Sequence, residues 1–381
     1  MTDRAGSGLP IVGQLSRLSA TFLVGTVVLS LAAIVLDFGL HVDETVLFVV
    51  SAAAILGLAW VVGLSTERLG SITGPQVGGI LNATFGNIAE LIIGFLALQA
   101  GLIQVVKASL TGSIIGNLLL VMGLSALVGG LKNGSQHFSP KIAVSNAALL
   151  GLALIGLFVP AIFALTTKDP TSGSITQESV LVAGALIVGY VLSLAYQFRR
   201  PDQSHGAAGD ANAVGGAREE GGPPWSGRTA VVVLLGAAAL LAVLSEILVS
   251  SITPFIATFK LSFFFVGVVI IPTIGNLAEH LVSVQLAAKD KMEFALAVTF
   301  GSSLQIALFV APVLVLLGAL MGRDMNLVFT PLEIAAVAAA VGISSLIAID
   351  GETNWLEGAL LTLVYAILAI SFFGFVGGVA T

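Results

Sequence analysis

Apolar residues in this chain gather into stretches of about twenty or more, separated by short polar breaks, and a stretch of that length crosses a bilayer as a helix. Such a window marks eleven candidates, near 18–38, 44–64, 75–99, 104–129, 141–166, 178–198, 228–251, 255–287, 292–321, 330–349 and 354–377. The eighth is long, and Pro254 and Lys260 move its expected start to about Leu261. Open sheet edges find no partner in lipid, so all eleven are expected to be helices. The first is too long for the apolar core of a cleavable leader and lacks a small-x-small site before the polar 37–44 turn, so it reads as a spanning helix. One polar stretch is long: 199–228 holds seven glycines and Pro223-Pro224 and reads as a flexible linker. It divides the chain into six helices and five.

Composition places the chain in the same class. It is 57% hydrophobic and 9% charged, against about 25% charged in soluble domains. An all-α polytopic membrane protein is expected, with the lipid bilayer as its surroundings and no nucleic-acid partner. The absence of cysteine excludes disulfides, thiol chemistry and Cys-ligated metals. Charge position tells more than the net charge of −6. With the N-terminus in the cytoplasm, Arg4, Arg17, Arg68, Lys132, Lys141, Arg199, Arg200, Arg218, Arg228, Lys289 and Lys291 fall inside, and Lys107, Lys168, Lys260 and Arg323 outside. Basic residues favour the cytoplasmic face, so the C-terminus is expected outside.

Two short runs inside apolar stretches repeat each other: Gly86-Asn87-Ile88-Ala89-Glu90 and Gly275-Asn276-Leu277-Ala278-Glu279. A carboxylate in hydrocarbon is costly, and its default reading is functional. At the same 189-residue offset, Thr84 falls on Thr273 and Gly112-Ser113 on Gly301-Ser302, so the match covers two consecutive helices. Glu90 lies in the third candidate helix and Glu279 in the eighth. Five helices is an odd number, so the two copies enter the membrane from opposite sides. Inverted repeats with a midplane site are the architecture of many secondary transporters. The expected division is an extra N-terminal helix in 1–40, a first five-helix repeat in 41–198, the cytoplasmic linker in 199–227 and a second repeat in 228–381.

Asn and Glu at i and i+3 share a helix face. Gly86 and Gly275, one turn earlier, permit bending or close helix approach. Pro272 lacks a backbone donor, and an interrupted helix there would free carbonyl oxygens. Ser113 and Asn117 in the fourth helix, and Ser302, Ser303 and Gln305 in the ninth, add neutral oxygens. A set of two carboxylates, amides, hydroxyls and carbonyls suits a hard cation; Ca²⁺ takes six to eight oxygens in flexible geometry. Two glutamates neutralise one divalent ion, and like charges in low dielectric favour the protonated form. One pair thus lets Ca²⁺ and H⁺ compete. Against this stands the plain reading of a membrane Glu as a hydrogen bonder to a neighbouring helix; duplication at one offset weighs against that reading.

Other polar residues carry less. Glu246 falls on Gly57 in the repeat, so it is a gate or entry group or a structural hydrogen bonder. His280 points some 100° away from Glu279 on its helix, as a proton relay or a packing residue. Asp37, Asp43 and Glu44 suit a solvated turn, and Trp60, Trp225 and Trp355 suit interfacial anchors.

At these residues the chain resembles the Ca²⁺/H⁺ exchanger (cation/proton exchanger) family of the calcium/cation antiporter superfamily. The resemblance runs from about Gly74 to the C-terminus and is densest in 78–91, 272–280 and 301–309, with 350–358 similar to that family's last loop. It implies eleven helices, one extra and two inverted fives, and a cation bound by Glu90 and Glu279 with Asn87 and Asn276 helping. No cofactor is implied; Ca²⁺ and H⁺ are the transported ions. In the Na⁺/Ca²⁺ branch, helices of the kind carrying Asn117 and Ile306 bear further polar or acidic ligands. Here Asn117 is matched by Ile306 beside Gln305, which favours protons over Na⁺. The linker offers only Asp210, Glu219 and Glu220, where some relatives carry a strongly acidic segment. The short N-terminus suits a prokaryotic plasma-membrane protein. The competing readings are a Na⁺-coupled Ca²⁺ exchanger, a cation channel lined by glutamates, and an intramembrane enzyme, for which no nucleophile–base or catalytic metal set is found.

Overall fold

The computed structural model describes residues 17–40, 42–167, 172–199 and 225–374. Most of the linker, with Asp210, Glu219 and Glu220, lies outside the described residues, as do Arg4, Lys168, Arg200 and Arg218.

Among the described residues twelve helices follow in order: α1 Arg17–Val35, α2 Glu44–Thr73, α3 Pro75–Phe85, α4 Ile88–Gln99, α5 Ile103–Asn133, α6 Pro140–Thr166, α7 Ser172–Phe198, α8 Gly227–Phe259, α9 Phe263–Ala288, α10 Met292–Leu320, α11 Pro331–Ala348 and α12 Trp355–Gly374. Ten of the helices, some with a π turn in line, are long and apolar enough to cross a membrane; α3 and α4 are not, and together they fill the third predicted stretch. The chain is an integral membrane protein. Several ends differ from the sequence reading, among them the start of the sixth predicted helix, at Ser172 and not 178. The second, fourth and seventh helices are longer, reaching Thr73, Asn133 and Phe259. Pro254 is carried inside α8, and Lys260, in the left-handed region with φ 53°, ends it; α9 then begins at Phe263.

The two G-N-x-A-E runs fold differently. At the first, the helix stops: Gly86 donates to Asn82 O at 2.8 Å, and Asn87 leaves helical geometry with φ −106° and ψ 29°. At the second, where Pro272 predicted an interruption, α9 continues through Gly275 and Asn276. The missing proline donor is absorbed one turn earlier by a π-helical turn at Val266–Ile270. Two further π turns fall at Gly116–Val121 in α5 and Ile306–Val310 in α10, positions that correspond at the 189-residue offset.

Glycines bring backbones together where the site is assembled. A Cβ on Gly112 of α5 would stand 2.1 Å from Val268 O of α9, and one on Gly358 of α12 would stand 2.2 Å from Leu127 N of α5. α2 and α8 lie along each other, and Ser251 Oγ donates to Glu44 Oε2 at 3.0 Å. Glu44 is therefore a bridge between helices, while Asp43 caps α2 by accepting from Thr45 N at 2.8 Å. α1 rests on α2: a Cβ on Gly57 would run into Thr26, and Phe22 meets Trp60 edge-on at 5.1 Å. Trp355 is half exposed, but Trp225 is buried, which corrects its reading as an interfacial anchor.

Loops from the two halves meet at both ends. Gln136–His137 (β1) pairs antiparallel with Glu352–Thr353 (β2), and Gln136 Nε2 donates to Ala287 O at 2.9 Å. At another end Lys107 Nζ donates to Asn326 Oδ1 at 2.6 Å and Val328 O at 2.8 Å, and Arg323 Nη2 to Gln99 O at 2.8 Å.

Candidate functional site

Stopping the helix at Asn87 frees its side chain from helical neighbours and turns Glu90 into the first turn of α4, where the helix dipole favours a carboxylate. The Glu90 carboxylate lies over Gly275 of α9: a Cβ there would stand 2.6 Å from its Oε1. Glycine is what lets the carboxylate reach this position. Oε1 is shut off from solvent and has no hydrogen-bond partner. Glu279 lies one turn beyond Gly275 on α9, so the helix that Glu90 packs against carries the second acid. The recess beside Glu90 is narrow and is lined by Ile93, Ser109, Leu110, Ser113, Pro272 and Gly275 among others.

Around the glutamates, four helices exchange neutral hydrogen bonds. Asn87 Nδ2 donates to Gln305 Oε1. Ser302 Oγ donates to Asn87 Oδ1 at 3.3 Å, and Asn117 Nδ2 to Ser302 Oγ at 2.9 Å. Across the site, Asn276 Nδ2 donates to Ser113 Oγ at 3.1 Å and to Pro272 O at 3.1 Å. Asn87–Ser302 and Asn276–Ser113 are counterparts at the 189-residue offset, so the same pairing is built twice, with donor and acceptor exchanged. The match is incomplete at the glycines: Glu90 lies against Gly275, while the side chain nearest a Cβ on Gly86 from outside its own helix is Gln305, 3.5 Å away.

Of the residues singled out in the sequence, Glu90, Glu279, Asn87, Asn276, Gly86, Gly275, Ser113, Asn117, Ser302 and Gln305 are brought together. Ser303 is not; its hydroxyl bonds Thr299 O on its own helix at 2.9 Å. Glu246 is exposed on α8 and does not line the recess. His280 is half-buried, does not line the recess, and its Nε2 is shut off from solvent without a hydrogen-bond partner. Among the described residues no three His, Asp or Glu cluster as a metal site. The arrangement offers two acids in a cage of amide and hydroxyl groups. Ser109 and the apolar walls Ile93, Leu110 and Ile271 were not singled out in the sequence. Only the i, i+4 spacing of Ser109 and Ser113 on α5 hinted at the serine.

The fold is that of a polytopic helical membrane protein, and it brings Glu90, beside a helix break, against the helix that carries Glu279. The sodium/calcium exchanger protein family matches residues 44–199 and 229–374, and the chain belongs to that family. It is 42% identical over 349 residues to a Ca²⁺/H⁺ antiporter of Aphanothece halophytica, covering 88% of this chain and 91% of that one. It is 42% identical over 335 residues to the Ca²⁺/H⁺ antiporter ChaA of Bacillus subtilis, covering 88% and 93%. The solved structure of native YfkE superposes with a TM-score of 0.78 at 37% identity, over 92% of this chain and 99% of that one.

Proposed function

We propose that this protein exchanges Ca²⁺ for H⁺ by alternating access at a site formed by Glu90 and Glu279, with Asn87 and Asn276 completing the cage. The observation that carries the reading is the Glu90 carboxylate, lying over Gly275 with its Oε1 shut off from solvent and without a hydrogen-bond partner, on the helix that carries Glu279 one turn further on. A buried anion beside a second acid is costly unless a cation or protons neutralise it. Ca²⁺ binds both carboxylates ionised; protons bind in its place. The Ca²⁺/H⁺ antiporters among the relatives support this choice of ions.

In this reading the chain crosses the membrane eleven times, α3 and α4 forming one broken span. The first repeat occupies 41–198 and the second, inverted, 228–381; α1 is the extra helix and 199–227 a cytoplasmic linker. The duplicated Asn–Ser pairs and corresponding π turns support the repeat. The membrane is a prokaryotic plasma membrane, the N-terminus is cytoplasmic, the C-terminus is outside, and the protein exports Ca²⁺. The test is radioactive Ca²⁺ uptake into proteoliposomes under an imposed pH gradient, with and without Na⁺. Uptake driven by the pH gradient and stopped by a protonophore is expected; flux driven by a Na⁺ gradient at clamped pH would assign the protein to Na⁺ coupling instead.

A further inference from the structure

Glu90 Oε1 lies over Gly275, and both residues line the narrow recess between α4, α5 and α9. That oxygen is shut off from bulk solvent and has no hydrogen-bond partner. Two hydroxyls, Ser109 and Ser113 of α5, line the recess as well, and Ile93, Leu110, Ile271 and Pro272 make the rest of its wall apolar. Ser109 and Leu110 come before Ser113 in α5, and Ile271 and Pro272 before Gly275 in α9, so the recess extends from Glu90 toward the end at which both helices begin. Lys107, two residues before Ser109, does not line it; its ammonium turns to Asn326 Oδ1 and Val328 O. Glu90 is thus the one charged side chain in this wall.

The three polar groups complement a single water. Ser113 Oγ accepts from Asn276 Nδ2 at 3.1 Å. An amide N–H cannot accept in return, so the Ser113 hydroxyl hydrogen is left to donate, and no acceptor among the described residues takes it. Ser109 Oγ donates to Val106 O at 2.8 Å and keeps its lone pairs for another donor. Glu90 Oε1 is an acceptor without a donor. Residues at i and i+4 on a helix hold their Cβ atoms about 5–6 Å apart. One water with hydrogen bonds of about 2.8 Å to each oxygen spans that distance. Such a water accepts from Ser113 and donates to Ser109 Oγ and to Glu90 Oε1. About three hydrogen bonds is the usual complement of a buried water, and a narrow polar recess suits one.

We propose that this recess holds one water molecule, positioned by Ser109, which serves as one of the oxygens around the transported Ca²⁺. The proposal rests on the reading of Glu90 and Glu279 as the Ca²⁺ site. Ca²⁺ takes six to eight oxygens, waters among them. Two carboxylates and the Asn87 and Asn276 amides offer about six at most, and Asn87 Oδ1 already accepts from Ser302 Oγ. A water against Glu90 Oε1 adds one more. Ser109 fixes its place without touching the ion, so it is a positioning residue. Losing its hydroxyl leaves the water one hydrogen bond short beside a buried carboxylate.

Ser109→Thr keeps the hydroxyl, and Ser109→Val keeps the shape of threonine without it, so the pair isolates the hydrogen bond. Affinity is read by calorimetric titration of the purified full chain in detergent with Ca²⁺. Ser109→Thr should bind like the unsubstituted protein, and Ser109→Val about tenfold more weakly, the ratio that the loss of one hydrogen bond gives. Infrared difference spectra of the Ca²⁺-free protein read the water itself. The C=O stretch of the Glu90 carboxylic acid, identified by its loss in Glu90→Gln, should lie at higher frequency in Ser109→Val than in Ser109→Thr, because a donor is withdrawn. If a β-branched variant fails to insert, Ser109→Ala against the unsubstituted chain gives the same comparison, since alanine suits a helix. Equal Ca²⁺ affinities with and without the hydroxyl, or equal band positions, would overturn the proposal. With normal Ca²⁺ binding, either equality strikes the water alone; no Ca²⁺ binding by the unsubstituted protein would strike the shared-site reading and the water's role together.

Discussion

Replacing Glu90 or Glu279 by glutamine removes one negative charge and leaves the shape of the side chain. A buried Ca²⁺ would then be half compensated, and breaking a buried charge pairing costs about 3–5 kcal/mol, or roughly 10²–10⁴ in affinity. Both variants are expected to insert and fold but to lose Ca²⁺ flux, measured in proteoliposomes against the unsubstituted chain; normal flux in either removes the shared-site proposal. Ca²⁺ needs both acids ionised, so its apparent Kd should rise as pH falls, with a slope of log Kd against pH approaching about −2 when two protons replace one ion. Interacting acids titrate as a pair, so the profile belongs to the site and not to either residue. His280→Asn separates two roles. As a packing residue, its loss alters stability or rate and keeps the pH dependence; as a relay, its loss flattens the rate–pH profile at unchanged Ca²⁺ affinity. Its absence from the lining of the recess favours packing. Outside the membrane, Thr45, through its side chain and backbone N–H, holds the Asp43 carboxyl below the usual carboxylate range. Its capping of α2 is therefore fully present at neutral pH and is lost only as pH falls through that lowered value.

At the scale of helices, the site depends on two backbones lying in contact. Gly112 leaves no room beside Val268, whose carbonyl would be 2.1 Å from an added Cβ. A backbone carbonyl cannot swing aside as a side chain can, so α5 and α9 must part. Ser113 and Asn276 sit one residue beyond these contact points in α5 and two turns further along α9, so their hydrogen bond would be strained as well. Gly112→Ala should cost about 1–3 kcal/mol and lower both Tm and Ca²⁺ flux. Gly151→Ala in α6 is the control: nothing lies within 4 Å of its added Cβ, and alanine's helix preference makes the change neutral or stabilising. A Gly112→Ala protein as stable as the Gly151→Ala protein would contradict the tight crossing.

For the molecule as a whole, the proposal makes two demands, one on direction and one on coupling. The chain has no cysteine, so single introduced thiols report sidedness without background. Ser135→Cys, beside the β1–β2 pair, should react with an impermeant thiol reagent only from the cytoplasmic side. Asp324→Cys, in the segment before α11, should react only from outside. The same side for both would break the eleven-span arrangement. Coupling is read as the pH-gradient-driven flux described above.

How far the residues alone determine this protein depends on the range of the interaction involved. Hydrophobic length and the scarcity of charge are properties of sequence, and they placed the helices, because lipid imposes one rule on every span. The paired G-N-x-A-E runs were legible for the same reason: an acid among apolar residues stands out without knowledge of its neighbours. The site's particular form was not. Gly86-Asn87 and Gly275-Asn276 are identical dipeptides, yet the helix breaks at the first and runs through the second, which follows a π turn that the first copy lacks. Gln305 next to Gly86, Glu90 over Gly275 and Trp225 in the interior are all decided by what a distant helix places opposite. Packing between segments nearly two hundred residues apart is a tertiary matter, since local sequence sets which groups a helix carries and only the crossing of helices sets which groups meet.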